Sequence, residues 1–276
     1  MELKDVEEVP DYIPKNKLFS ELFGFHKEHF ICLIVGCKGS GKTQLTTKIL
    51  RNSGVDFDQL FILSPTADQP KYQYLYHGLN NRLSNEEINF LSQDENSYFI
   101  SPETKIKKII DNKIIQPLEK TLSCEFPRRC HILKKAEDID NLALENSLLS
   151  KYSKNIFIFD DILGLKNNEM KKISTYVTHG RHFNCSVILL TQDYSEILPT
   201  IKKNTDIFIF FQPFQACDRQ YFFRYYFQNN FENYKSFNEY LNSNLKQKFD
   251  FVVITPTAYE HKIITRTALE EILNKF

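Results

Sequence analysis

Glycine is scarce in this chain, at eight residues in 276, against an average usage of about 7%. Tryptophan is absent and methionine occurs twice. No apolar run approaches the roughly 20 residues needed to cross a bilayer, so no membrane span is expected. Net charge is missing too, because 35 Lys and Arg are balanced by 35 Asp and Glu. That balance gives no global support for a nucleic-acid partner, though a local basic face stays open. Six cysteines are present without a C-x-x-C pair, which argues against a zinc ribbon. Cys124, Cys130 and His131 lie close together but match no metal template, so reduced, buried thiols are expected. The acidic start, Met1 to Asp11, is the reverse of a signal peptide's basic n-region. An intracellular, unsecreted protein is therefore expected. With 42% hydrophobic and 25% charged residues, disordered and collagen-like chains are excluded.

What glycine there is clusters. Gly36, Gly39 and Gly41 fall within Gly36-Cys37-Lys38-Gly39-Ser40-Gly41-Lys42-Thr43, which fits G-x-x-x-x-G-K-[ST]. The spacing suits a phosphate. Glycines let the backbone curl so that successive N–H groups point inward, and a helix opening after Gly41 adds its positive end. Lys42 is placed to reach the β- and γ-phosphates of ATP, and the Thr43 hydroxyl to ligate Mg²⁺.

The surrounding pattern is that of an α/β chain. Short apolar runs predict buried strands at Phe30 to Val35, Gln59 to Leu63, Asn155 to Phe159, Ser186 to Leu190, Ile207 to Phe211 and Phe249 to Ile254, with a shorter one at Tyr98 to Ile100. Helices are expected at Thr43 to Arg51, Asn168 to Val177, Cys217 to Gln228, Phe231 to Asn242 and Ala268 to Lys275, with helical patches at 105–115 and 141–149. Strands apolar on both faces, alternating with helices, imply a mostly parallel central sheet covered by helices on both faces. The expected organisation is a lead-in over 1–27, then one domain over 28–276 with a variable, mostly helical insertion at about 67–153. Ligands of such sheets sit at the carboxyl ends of the strands.

Two further strand ends are polar. Ile156 to Phe159 runs into Asp160-Asp161. In P-loop NTPases a strand-end carboxylate holds Mg²⁺, a role that falls to Asp160. The next carboxylate, Asp161, can activate the attacking water as general base. Ser186 to Leu190 ends in Thr191-Gln192, where the Gln192 amide can sense the γ-phosphate. Arg181 follows Gly180, a helix-ending glycine; by spacing alone it is a surface or ion-paired arginine. His179 and His182 fit capping or packing better than a metal.

Taken in order, GCKGSGKT, IFIFDD, THGRHFNCSVILLTQ and a trailing fifth strand resemble the genome-packaging ATPases of large double-stranded DNA viruses, of the poxvirus and virophage type, within the FtsK/HerA superfamily. The resemblance spans about residues 28–255, with 67–153 matched only loosely. It implies an additional-strand, RecA-like P-loop NTPase that assembles as a homo-oligomeric ring around double-stranded DNA. It also implies ATP hydrolysis that drives DNA into a preformed capsid at a portal vertex, in the host cytoplasm or viral factory. Arg181 becomes a finger supplied in trans to a neighbour's γ-phosphate. Many pumps of the superfamily carry Asp-Glu where this chain has Asp160-Asp161, but the poxvirus-type branch itself uses Asp-Asp.

Residues 105–135 hold nine Lys or Arg against three acids, a local net of +6. They are a candidate phosphate grip or a solvated helix face, and Lys202-Lys203 is a second candidate. Ten of the twenty residues from Tyr221 to Tyr240 are aromatic, at a spacing that suits core packing or a subunit interface. Alternatives on the same fold are a helicase, a small-molecule kinase or a nonhydrolysing nucleotide-binding assembly factor.

Overall fold

The computed structural model describes residues 29–52, 57–80, 129–135, 138, 153–162, 165, 167–212, 215–256 and 261–266. Eight strands form one sheet: β1 (Ile31–Val35), β2 (Gln59–Leu63), β3 (Arg129–Leu133), β4 (Asn155–Asp160), β5 (Cys185–Thr191), β6 (Ile207–Phe211), β7 (Phe251–Pro256) and β8 (His261–Thr265). Their spatial order is β3-β2-β4-β5-β1-β6-β7-β8. Strands β3 to β6 in that row are all parallel. Strands β7 and β8 add to the β6 side antiparallel. The helices are α1 (Lys42–Asn52), α2 (Pro70–Asn80), α3 (Asn167–His179), α4 (Pro199–Asn204), α5 (Ala216–Phe222) and α6 (Tyr234–Asn244).

Alternation along the strands divides the core in two. Cys32, Ile34, Ile156, Ile158, Ile188 and Leu190 pack with Leu45 and Ile49 of α1 and Tyr72 and Leu75 of α2. The intervening residues Leu33, Val35, Phe157, Phe159, Val187 and Leu189 pack on the opposite face with Ile173 and Val177 of α3 and Phe237 and Leu241 of α6. Every residue of β4 and β5 is buried, because both faces are roofed. The chain is thus α/β with helices on both sides of a mostly parallel sheet. The position of β5, between β1 and β4, makes it the additional-strand P-loop NTPase arrangement.

The aromatic stretch forms α5, a π-helical turn (Phe223–Phe227) and α6. Phe222, Phe227 and Phe237 are buried against the sheet. The Phe222 ring lies 5.1 Å from Phe208 and 4.8 Å from Phe210 of β6. The buried Arg219 guanidinium ties the two helices by donating to Asn238 Oδ1 (2.7 Å) and Asn242 Oδ1 (2.6 Å).

Three features depart from the sequence pattern. Residues 129–133 form β3 where no strand was expected: Arg129 and His131 break the apolar run, and pairing with β2 supplies the ladder. The strand expected to be last is followed by β8, whose charged start hides it. Pro70–Asn80 forms a helix not individually expected, within the stretch expected to be mostly helical, and packs on β3 and α1. The lead-in 1–27, Tyr98 to Ile100, the patches at 105–115 and 141–149, the helix at 268–275 and Cys124 lie outside the described residues. So does most of the basic stretch, of which Arg129, Lys134 and Lys135 are seen and exposed.

Candidate nucleotide site

The loop between β1 and α1 has the shape that its glycines allow. Gly39 (φ +75°) and Gly41 (φ +100°) are left-handed, a region costly for other residues. At Gly36 an added Cβ would fall 2.5 Å from Ser40 Oγ and 2.8 Å from Phe211 Cβ, so a side chain there would push the loop off β6. The Gly36 amide donates to Thr191 O of β5 (3.1 Å), anchoring the loop to its neighbour strand. No acidic residue occupies the first turn of α1, which leaves its positive end uncompensated. Lys42 Nζ is held over the loop by the carbonyls of Gly36 (2.6 Å) and Cys37 (3.1 Å). Burial lowers the Lys42 pKa, and the charges of Asp160, Cys37 and Asp161 oppose that shift. Ser40 Oγ is buried without a hydrogen-bond partner, a polar atom that an anion in the loop would satisfy.

Strand β4 delivers Asp160 and Asp161 to the same edge. Asp160 is 6% exposed, and burial raises its pKa, countered by the Tyr72 hydrogen bond and Lys42. Tyr72 Oη donates to Asp160 Oδ2 at 2.6 Å, and the Thr43 side chain is within reach of the same hydroxyl. Asp161 takes φ +56°, which turns the chain sharply out of the strand. Gln192, just past β5, donates from Nε2 to Asp161 Oδ1 at 3.1 Å. The loop from Gly36 to Thr43, Asp160, Asp161 and Gln192 therefore meet at the carboxyl ends of three adjacent strands. Thr43, Lys42 and Asp160 form a donor set that fits a phosphate with Mg²⁺.

Arg181 is not brought there. It lies in the 3₁₀ turn Gly180–Phe183 before β5, at the amino end of a strand whose carboxyl end carries Gln192. Seven residues of β5 separate the two ends by about 20 Å. Arg181 is exposed, so the fold sets it away from its own phosphate loop.

Tyr72 is the residue that the sequence did not reveal. A tyrosine in an unmarked helix carries no motif, and its contact with Asp160 exists only once α2 packs beside β4. Asp218 is another. It is buried at the start of α5, and burial and the Asp193 charge push its carboxyl up to about 6. Together with Gly36, Gln192 and Gln215 it lines a small cleft beside the loop. Of the other expected residues, Cys130 is buried and His131 stacks on Phe61 at 4.8 Å. Lys202 Nζ sits 4.3 Å above the Tyr194 ring and donates to Ser195 O.

Residues 125–218 match the family model described as "Poxvirus A32 protein". That span, about a third of the chain, contains Asp160, Asp161, Arg181 and Gln192, so the motif resemblance to the poxvirus type has independent support in this part of the chain. A search of curated proteins returns no match. Among solved structures the chain is similar to the genome packaging NTPase B204 of Sulfolobus turreted icosahedral virus 2 in complex with AMPPCP. Identity is 14%, coverage is 86% of this chain and 97% of that one, and the TM-score is 0.48. The DNA-packaging ATPase B204 of Sulfolobus turreted icosahedral virus gives 15% identity, 85% and 96% coverage and a TM-score of 0.45. VirB4 of Thermoanaerobacter pseudethanolicus gives 10%, 86%, 88% and 0.45. These likenesses are distant, and the fold follows from the strand order itself.

Proposed function

We propose that this chain is a Mg²⁺-dependent ATPase that drives double-stranded DNA into a preformed viral capsid, working as a homo-oligomeric ring. One observation carries the reading. The phosphate loop, a buried carboxylate, a second carboxylate and a glutamine amide converge at one sheet edge, inside and beside a stretch that matches the poxvirus family model. When bound, MgATP supplies the phosphoanhydride whose hydrolysis powers movement.

The residues of the chain divide the remaining work. Backbone N–H groups of Gly36 to Thr43 and the start of α1 bind the phosphates. Lys42 needs only to exchange its bonds to the Gly36 and Cys37 carbonyls for phosphate oxygens. Asp160 and Thr43 would hold Mg²⁺. Asp161 takes a proton from water, and the Gln192 amide that donates to its Oδ1 keeps the carboxylate oriented. Arg181, too far from its own loop to act in cis, completes a neighbour's site.

The test is the rate of ATP hydrolysis with and without duplex DNA. Duplex DNA is expected to stimulate it, and Lys42→Ala to abolish it. Hydrolysis indifferent to duplex DNA would remove the motor reading while leaving the ATPase. No hydrolysis by the wild-type chain would remove both.

A further inference from the structure

The strand order gives the bound nucleotide a direction. Asp160, Asp161 and Gln192, which face the γ-phosphate in the proposed reading, lie on β4 and β5, on one side of β1. The α-phosphate and nucleoside must then lie on the other side, over the ends of β6 and β7. Because β7 is antiparallel to β6, its start stands at the same edge as the phosphate loop, and Gln212 N donates to Asp250 O there (3.0 Å). Two residues before β7 is Phe249. Its side chain is 47% exposed, one of two large apolar side chains so exposed among the described residues. A Cβ built on Gly41 would sit 3.6 Å from its Cδ1. A half-exposed apolar ring beside the loop's last glycine is a surface suited to a flat partner.

We infer that Phe249 is the shelf on which the nucleotide's base stacks, so that the site recognises a nucleobase and not a polyphosphate alone. Lys248 Nζ lies over the ring, 5.4 Å from its centroid, and adds a positive charge that a bound base would meet or displace there. Stacking on an aromatic face accepts any base, so the shelf supplies affinity for nucleoside triphosphates as a class. The inference rests on the proposed nucleotide reading.

The test compares dissociation constants of ATP and inorganic tripolyphosphate. Phe249→Ala is expected to weaken ATP about tenfold, the usual scale for one lost base stack, and to leave tripolyphosphate unchanged. Phe249→Trp is expected to retain ATP binding. It would also be the only tryptophan of the chain, with fluorescence that responds to ATP and not to tripolyphosphate. Equal weakening of both ligands, or of neither, overturns the inference and leaves the nucleotide reading standing. A wild-type chain that binds tripolyphosphate as tightly as ATP does the same. One that binds neither ligand overturns both.

Discussion

At the residue scale, the chemistry depends on side chains that are held, not merely present. Asp160 is buried, which by itself disfavours its charged form. The Tyr72 hydroxyl offsets some of that cost and holds the carboxylate through its Oδ2. In the proposed reading Tyr72 is thus a positioning residue for the Mg²⁺ carboxylate. Outer-shell partners of ligating carboxylates are worth about 10- to 100-fold in metal affinity. Tyr72→Phe, which keeps the ring in its pocket, is therefore expected to raise the Mg²⁺ concentration for half-maximal ATP hydrolysis by at least about tenfold. Thermal stability should change little, and a fold-wide loss of stability with unchanged Mg²⁺ requirement would refute the role. Gly36 illustrates the opposite demand: it contributes by having no side chain where Ser40 and Phe211 approach.

At the element scale, the turn between α3 and β5 sets the register of the strand that carries Gln192. Asn184 closes it in the left-handed region at φ +53°. Its carbonyl accepts from Asn155 N of β4 (2.9 Å) and its amide donates to Arg181 O (3.4 Å). Asparagine tolerates this conformation better than most residues do. Asn184→Gly is expected to be close to neutral in thermal unfolding. Asn184→Val is expected to cost about 1–2 kcal/mol, or some 2–8 °C in Tm for a domain of this size. Equal melting temperatures for the two variants would contradict the conformational argument. Along the π-helical turn Phe223–Phe227, Phe222 and Phe227 both face the core while Tyr225 faces solvent at 61% exposure.

At the scale of the whole molecule, the separation of Arg181 from the phosphate loop makes the proposed activity a property of an assembly. In mixed rings, Arg181→Ala subunits still hold a base, and Asp161→Ala subunits still offer an arginine. Mixing the two inactive variants is expected to restore part of the hydrolysis rate at interfaces where an intact arginine meets an intact base. Fingers of this type are worth about 10³–10⁵ in rate, so even partial recovery is measurable. Full activity of a monomeric Arg181→Ala protein would exclude a trans role.

Much of this was legible from residue order alone, for a physical reason. A strand buried on both faces must be a short apolar run, and a phosphate loop must spend glycine at set positions. The six apolar strands, the loop from Gly36 to Thr43 and the strand-end residues Asp160, Asp161 and Gln192 are local patterns of this kind. Other features depend on neighbours distant along the chain. Among the described residues β3 is an edge strand, whose Arg129 and His131 need not be apolar, and β8 is defined by its pairing with β7. The Tyr72 contact joins residues 88 positions apart, and the exposed ring of Phe249 gains meaning only beside Gly41. No window of sequence contains both partners of such contacts. Folding brought them together, and with them the support of Asp160, the distance between Arg181 and the phosphate loop and the surface proposed to read the base.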